Sequence, residues 1–478
     1  MNVILVISDT LRRDHIGCYG NDWIKTPHID QFAKDAVVFD NAYTASFPTV
    51  PNRTDVMTGR YTFTYRDWSP LGNEQPIISD LLHEAGVCTM MVADTPHILR
   101  DGYNFSRGFD GSEWIRGQEN DHWMTSPAEV TFPCDKDKLR APDRSVVQYL
   151  RNIAKRKGEE DYFVARTMRR EAEWLADNTD RQPFFLYVDT FDPHEPWDPP
   201  QAYVDLYDPG YTGQEVIYPR YAPCDFLTDA ELKHVRALYA GEVTLVDTWF
   251  GHLMEALDDL DLFDNTAVIF TTDHGFYHGE HGIMGKSLIT ERYQGVVPLY
   301  DEVAHIPLIA RVPGLSAGRN MAMAQPPDFA PTILDLVGAE APERFQGTSL
   351  MPVLRGEADN VRDMAISSAS IIHGNRARRW STVVKGEWAL MYGGDPAATL
   401  EGATSYIVDS DKRTEAELFE GGGRPELYHI PTDPTHTKNV IAENEDVARR
   451  LHAEHVEFLQ KLDTPEEHLK HRKVFALR

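Results

Sequence analysis

The chain has 478 residues, 42% of them hydrophobic and 26% charged, the balance of a folded, water-exposed protein and not of a disordered chain. Its 47 basic and 75 acidic side chains leave a formal charge of −28, a field that repels nucleic acid and anionic membrane. An anionic small molecule is admitted only where cations gather locally, and no run of about 18 apolar residues exists to span a bilayer.

Val3-Ile4-Leu5-Val6-Ile7 begins at once and runs into Ser8-Asp9, the pattern of a buried first strand with no signal segment before it. With Cys18, Cys88, Cys134 and Cys224 far apart and in no CxxC pair, the expectation is a cytoplasmic protein with four reduced thiols. Residues 89–93 (TMMVA), 184–189 (FFLYVD), 266–270 (TAVIF) and 306–310 (IPLIA) also read as buried strands, rich in β-branched and aromatic residues. Residues 195–225, rich in Pro, Tyr and Asp, read as a long surface loop of the kind that shapes substrate pockets. From Glu242 to Leu257 the spacing of Leu245, Val246, Trp249, Phe250, Leu253 and Leu257 predicts a helix with one apolar face. This alternation predicts an α/β fold over residues 1–364, a large mostly parallel sheet sandwiched by helices. After about residue 360 the alternation fades. WSTVV, EWALMY and ELYHI read as short strands, Gly421-Gly422-Gly423 as a break, and Glu443 to Leu462 as a charged helix. A small C-terminal α+β subdomain with an antiparallel sheet is expected over 365–478.

In a parallel α/β sheet, ligands bind at the carboxyl ends of the strands. Asp9 ends the first predicted strand, Asp273 and His274 follow TAVIFTT, and Asp189, Asp192 and His194 cluster at the end of FFLYV. Aspartate and histidine are oxygen and nitrogen ligands for a divalent cation, so their convergence would make a metal site. Thr95 and His97, in VADTPH, follow another strand and are candidates to line the pocket, turn structure being the plainer account. His278 and His281, in HGEH, are candidates for substrate or second-metal contact, against the ordinary role of loop histidines in hydrogen bonding. His305 is a further candidate, although it precedes its strand and on a simple reading lies at the opposite end of it.

Longer motifs carry a resemblance. TPHIDQFAKDAVVFDNAYT (Thr26 to Thr44), TVPNRTDVMTGR (Thr49 to Arg60), DHGFYHGEHGIMGK (Asp273 to Lys286), FQGTSLMPVLRG and ELYHIPTDPTHTKNV occur in the order seen in sulfatases of the alkaline phosphatase superfamily, and the chain resembles that family over nearly its whole length. The resemblance implies a hydrolase of sulfate or phosphate esters, with a small anionic ester as substrate, no nucleic-acid or membrane partner, and assembly into a homo-oligomer. It implies one divalent metal ion (manganese, calcium, zinc or magnesium) on Asp9, Asp273, His274 and the Thr49 hydroxyl. It also implies that Arg53 holds the nucleophile, Lys286 contacts the transferred group, His194 serves the leaving group and Arg60 supports the loop. A second ion on Asp192, His194 and His305 is the two-metal alternative.

Two positions depart from the family pattern. Thr10 stands where many sulfatases carry a second aspartate, and Thr49 stands where they carry the cysteine or serine that becomes formylglycine. A threonine cannot give that aldehyde, and it lacks the second hydroxyl through which formylglycine expels sulfate. It can still attack phosphorus and be released by water, as in the threonine-using phosphodiesterases and phosphonate monoester hydrolases of the superfamily. The expectation is therefore a metal-dependent hydrolase of phosphate diesters or phosphonate monoesters. The alternatives are a sulfatase acting without formylglycine, a phosphoryl-group transferase and an inactive homologue.

Overall fold

The computed structural model describes residues 1–289, 294–295, 297–372, 380–394 and 425–477. The first strand, β1 (Asn2–Ser8), is buried along its whole length. Val3, Leu5 and Ile7 enter one apolar layer while Ile4 and Val6 enter another, so the unbroken run VILVI serves a sheet covered on both faces. β2 (Val37–Ala42), β4 (Cys88–Ala93), β5 (Gly111–Trp114), β6 (Phe184–Thr190), β7 (Thr266–Thr271), β8 (Leu308–Arg311) and β9 (Gly318–Ala324) complete an eight-stranded sheet, with the short β3 (Ser46–Phe47) lying outside it. The order is β9-β2-β8-β7-β1-β6-β4-β5. All pairings are parallel except those of β8, which runs against both β2 and β7.

Helices fill both layers. α1 (Pro27–Lys34) packs on the Ile4/Val6 face, and α2 (Thr49–Thr58) lies on the other. α3 (Phe163–Asp177) and α4 (Asp229–Asp259) join α1, whereas α5 (Phe329–Val337) joins α2. The helix expected over 242–257 begins at Asp229, because Thr228 caps it. The Thr228 hydroxyl accepts the Glu231 amide at 3.2 Å while Glu231 accepts the Thr228 amide at 2.9 Å.

Beyond Met364, β10 (Ala365–Ala369), β11 (Ser381–Lys385), β12 (Trp388–Tyr392) and β13 (Glu426–His429) form an antiparallel sheet, backed by α6 (Glu445–Lys461). The glycine tract 421–423 lies outside the described residues. One strand of this second sheet comes from the other end of the chain. β3 pairs parallel with β10, Ser46 opposite Ser368 and Phe47 opposite Ala369, so the C-terminal sheet grips the segment that leads into α2. Among the described residues no helix is long and apolar enough to cross a membrane, and the four cysteines are unpaired. One expectation is corrected. Because β8 is antiparallel, His305 at its start stands at the same edge as the carboxyl ends of the neighbouring strands, not at the opposite one.

α2 stops at Gly59, which has φ of +62° and donates its amide to the Asp55 carbonyl at 2.8 Å. Its own carbonyl accepts the Gln346 and Gly347 amides at 2.7 and 3.0 Å, so the FQGTSL segment closes on the end of this helix. A Cβ at Gly59 would stand 2.6 Å from Cδ2 of Phe345. Gly59→Ala is expected to cost about 1–3 kcal/mol in urea unfolding, from the left-handed backbone and the overpacking together. An unchanged midpoint would contradict this reading of the helix end.

Candidate active site

Strand register brings the acids together. Ile7 of β1 lies opposite Thr271 of β7 and Asp189 of β6, so two residues further on Asp9 comes level with Asp273, and Asp189 stands just behind them. The ligand atoms of Asp9, Asp273 and His274 lie within 4.8 Å of one another, all buried. Thr10, at the position of the expected second aspartate, is the hinge between them. Its hydroxyl donates to Asp9 Oδ1 at 2.7 Å and its amide to Asp273 Oδ1 at 3.0 Å. It does so at φ of 64°, a conformation that costs a β-branched residue about 1–3 kcal/mol. The Tyr239 hydroxyl, donating to the Thr10 carbonyl at 2.9 Å, helps to hold it there.

Thr49 and Arg53 stand one turn apart on α2 and so share a face of that helix. Arg53 is fully buried. Its Nε and Nη2 meet the two oxygens of Asp189 at 3.0 and 2.9 Å, and Nη1 meets Asp9 Oδ2 at 2.9 Å and also Asp273 Oδ2. Asp189 is steadied in turn by the Thr95 hydroxyl at 2.6 Å and the Tyr187 hydroxyl at 2.8 Å. Thr95, a candidate for lining the pocket, thus acts behind Arg53. The Asn52 side chain donates to the Asp273 carbonyl at 3.0 Å, a second tie from α2 to the same loop.

The electrostatics fit a cation. Burial pushes the Asp9 carboxyl well above its ordinary range and the Asp273 charge adds to this, against Arg53 and Lys286. Beyond its ion pair with Arg53 Nη1, Asp9 Oδ2 has no hydrogen-bond partner among the described residues. For Asp273 burial acts the same way, but Arg53 and then Lys286 outweigh it and hold the group well below the usual carboxylate value. Burial drives His274 down to about 3, with Lys286 and Arg53 acting the same way against the pull of Asp273. His274 is therefore a neutral imidazole that donates Nδ1–H to the Gly275 carbonyl at 3.0 Å. Its Nε2 lone pair faces Asp273 Oδ2 at 3.3 Å. Two carboxylates, one of them with an oxygen that no hydrogen bond claims, and an oriented neutral imidazole are a fitting donor set for a divalent ion.

Lys286 closes this side, with Nζ 3.3 Å from the Thr10 hydroxyl, 3.5 Å from His274 Nε2 and 3.9 Å from Asp9 Oδ1. His194 stacks on Phe191 with ring centres 3.9 Å apart and donates Nδ1–H to the Glu195 carbonyl at 2.7 Å. Burial, then Lys286, Arg140 and His97, drive its proton affinity well below that of a free imidazole, with the Glu195 carbonyl acting the other way. His97 meets Glu119 at 3.1 Å and Phe191 edge-on.

The other candidates stand elsewhere. His278 is buried against Tyr239 and Trp197, its Nδ1 at 3.2 Å from Arg12 Nη1. His281 stacks on Tyr300 and faces Glu302 at 3.3 Å. His305 stacks on Tyr43 and donates to the Asp40 carbonyl at 2.7 Å. Asp192 accepts from the Gln118 amide at 2.5 Å and the Val164 amide at 3.1 Å, so Asp192, His194 and His305 do not assemble a second ligand set among the described residues. Arg60 lies over the Tyr65 ring and donates to Gln75, as a loop support. Asp189 carries more of the site than the sequence reading gave it, and its signal was an aspartate closing an otherwise apolar strand.

The sulfatase family model matches residues 1–339, and the chain belongs to that family. It is an ester hydrolase of a family whose members depend on a divalent metal ion. An N-acetylglucosamine-6-O-sulfatase of Bacteroides thetaiotaomicron is 26% identical over 429 residues, covering 76% of this chain and 72% of the relative. An arylsulfatase of Clostridium perfringens is 23% identical over 503 residues, covering 96% of this chain and 93% of the relative. The solved phosphonate monoester hydrolase of Agrobacterium radiobacter shares the fold with a TM-score of 0.71 at 20% identity, covering 96% of this chain and 95% of that one.

A bound ion stabilises the folded state by mass action, and metal-stripped protein should regain several degrees of Tm when a fitting divalent ion is restored in excess. Asp9→Asn should abolish that rise yet leave the stripped protein no less stable, because the acid it removes is buried beside Asp273. A full metal response in Asp9→Asn would place the ion elsewhere.

Proposed function

We propose that the protein hydrolyses small monoanionic esters of phosphorus, phosphate diesters or phosphonate monoesters, with Thr49 as nucleophile. The observation that carries the reading is the charge balance around Arg53. Three buried carboxylates, Asp9, Asp189 and Asp273, face two cationic side chains, Arg53 and Lys286. With all five ionised, one negative charge is in excess, and a divalent ion on Asp9, Asp273 and His274 turns it into one positive charge. That suits an anion of charge minus one better than the dianion of a phosphate monoester.

Thr49 supports the choice of phosphorus. It is buried and opens the helix whose Arg53 is keyed into the carboxylates Asp9 and Asp273. A bound divalent ion supplies positive charge that makes a nearby hydroxyl easier to deprotonate and offsets charge on the ester oxygens. Arg53 fixes α2 against the carboxylates and thereby orients Thr49. Lys286 offers its ammonium to the nonbridging oxygens, where charge grows in the transition state. His194 presents Nε2 to the leaving side, since Nδ1 is committed to the Glu195 carbonyl. When Thr49 attacks, its oxygen–phosphorus bond forms and its proton passes to solvent, while the bond to the leaving alcohol breaks and the alcohol takes a proton from His194. Water then attacks the phospho-threonine, one of its protons returns to His194, and the departing Thr49 oxygen takes a proton from solvent.

A sulfate ester is the second reading, favoured by the sulfatase names of the curated relatives and by the same single negative charge.

A panel of bis-aryl phosphate, aryl phosphonate, aryl phosphate and aryl sulfate, assayed with each divalent metal restored to stripped enzyme, separates these. The diester and the phosphonate should dominate. Thr49→Ala should lose roughly a thousandfold or more in kcat, and Thr49→Ser should keep part of the activity. Dominant sulfate turnover, or full activity in Thr49→Ala, would overturn the proposal.

A further inference from the structure

His194 is one half of a paired arrangement that five separate segments of the chain build beside the metal cluster. Glu195 turns its side chain back so that Oε2 lies 3.2 Å from His194 Nδ1. Its other oxygen, Oε1, accepts from Arg140 Nη2 at 2.7 Å and from the Tyr221 hydroxyl. Glu119 repeats the pattern. Its Oε2 lies 3.1 Å from His97 Nε2, and its Oε1 accepts from the Tyr218 hydroxyl and lies 3.5 Å from the same Arg140 nitrogen. Arg140 is clamped between the Tyr218 and Tyr221 rings, 4.3 and 4.2 Å from their centres. Glu119 and Glu195 are buried, and Glu119 adopts φ of 46° to enter the cluster. Burial pushes the Glu119 carboxyl up, but His97, Arg140 and the Tyr218 hydroxyl outweigh it and hold it down at about 2.

Glu195 Oε2 has no hydrogen-bond partner of its own among the described residues. The cations facing His194 are Lys286, Arg140 and, when protonated, His97, and each works against a proton on its ring. Asp192, two residues upstream, is engaged by Gln118 and Val164. The Glu195 carboxylate is therefore placed to favour the imidazolium just where the other neighbours oppose it.

We propose that Glu195, held by Arg140 and Tyr221, is a positioning residue that lets His194 carry a proton to the leaving oxygen, and that Arg140 ties it to a matching His97–Glu119 pair on the same side of the site. The inference rests on the role given to His194 under the proposed function. In the transfer to Thr49 the proton on His194 Nε2 passes to the departing alkoxide oxygen and leaves the ring neutral until water attacks the phospho-threonine, while the proton lost by the Thr49 hydroxyl goes to solvent. Glu195 forms and breaks no bond. Its charge offsets the imidazolium, so it matters for alcohols that cannot leave as anions and little for those that can.

The test compares wild type, Glu195→Gln and Tyr221→Phe on pairs of esters that differ only in the leaving group, 4-nitrophenol against a simple alkyl alcohol, across pH. Glu195→Gln should lose about tenfold or more in kcat on the alkyl ester and less than about threefold on the nitrophenyl ester. The fall of alkyl-ester turnover at high pH, where the acid has lost its proton, should move about one unit lower in pH, because removing an anion weakens the imidazolium. Tyr221→Phe, a milder change that keeps the fold if Glu195→Gln does not, should shift both readouts the same way by less. Equal losses on both leaving groups with an unmoved pH profile would make Glu195 merely structural and overturn the inference.

The outcome is separable from the ester class, because sulfate turnover by the wild type would refute the phosphorus reading while the leaving-group contrast still reports on Glu195. If the wild type turns over no ester, the 15N signals of His194 in labelled, metal-loaded protein decide. Proton uptake displaced to lower pH in Glu195→Gln supports the proposal, and identical signals in the two proteins overturn it.

Discussion

A guanidinium taken wholly out of water is stable only when its donors meet anions in good geometry, and three buried carboxylates in turn need cations among them. Arg53 and the trio Asp9, Asp189 and Asp273 satisfy one another in this way. The arrangement depends on three adjacent parallel strands ending level, and on α2 being pressed against those ends from the far layer of the sheet. Removing Arg53 would leave the buried carboxylates without their cation, typically a loss of about 3–5 kcal/mol, so the sheet edge and the helix are fixed to each other by the chemistry they carry.

Several features far from the ligands follow from that demand. Thr10 tolerates a left-handed backbone because its amide and hydroxyl join Asp273 to Asp9. Thr95 and Tyr187 spend their hydroxyls on Asp189, which stops that carboxylate from turning away from Arg53. The C-terminal sheet takes up Ser46 and Phe47 immediately before α2, and the FQGTSL segment closes on Gly59 immediately after it. The helix that presents Thr49 and Arg53 is thus held at both ends by parts of the chain hundreds of residues away. Within this spot Arg53 is consumed by carboxylates, and Lys286 remains for the substrate.

Much of this was legible in the sequence, because a strand buried on both faces leaves an unbroken apolar run and an acid at its end is conspicuous. VILVI followed by Asp9, and TAVIFTT followed by Asp273 and His274, marked the strands and the acids and histidine that converge at their ends. What failed to show was direction. IPLIA reads the same whichever way it runs, so the antiparallel course of β8, and with it the position of His305, needed the structure. Thr95 was found but its role was not, since a threonine after a strand carries no mark of the carboxylate it steadies. The pairing of Glu119, Arg140, Tyr218 and Tyr221 with His97 and His194 left no periodic trace, because it joins irregular loops to the single short helical turn that carries His97.

The central claim is that Thr49 takes the transferred phosphorus group, and the most direct measurement is to catch it there. Metal-loaded enzyme mixed with excess phosphate diester or phosphonate monoester is quenched in acid within the first turnovers, digested and read by peptide mass spectrometry. The account predicts the phosphorus-bearing group on Thr49, absent from Thr49→Ala. Turnover with an unmodified Thr49 peptide, or with the group on another side chain, would contradict it.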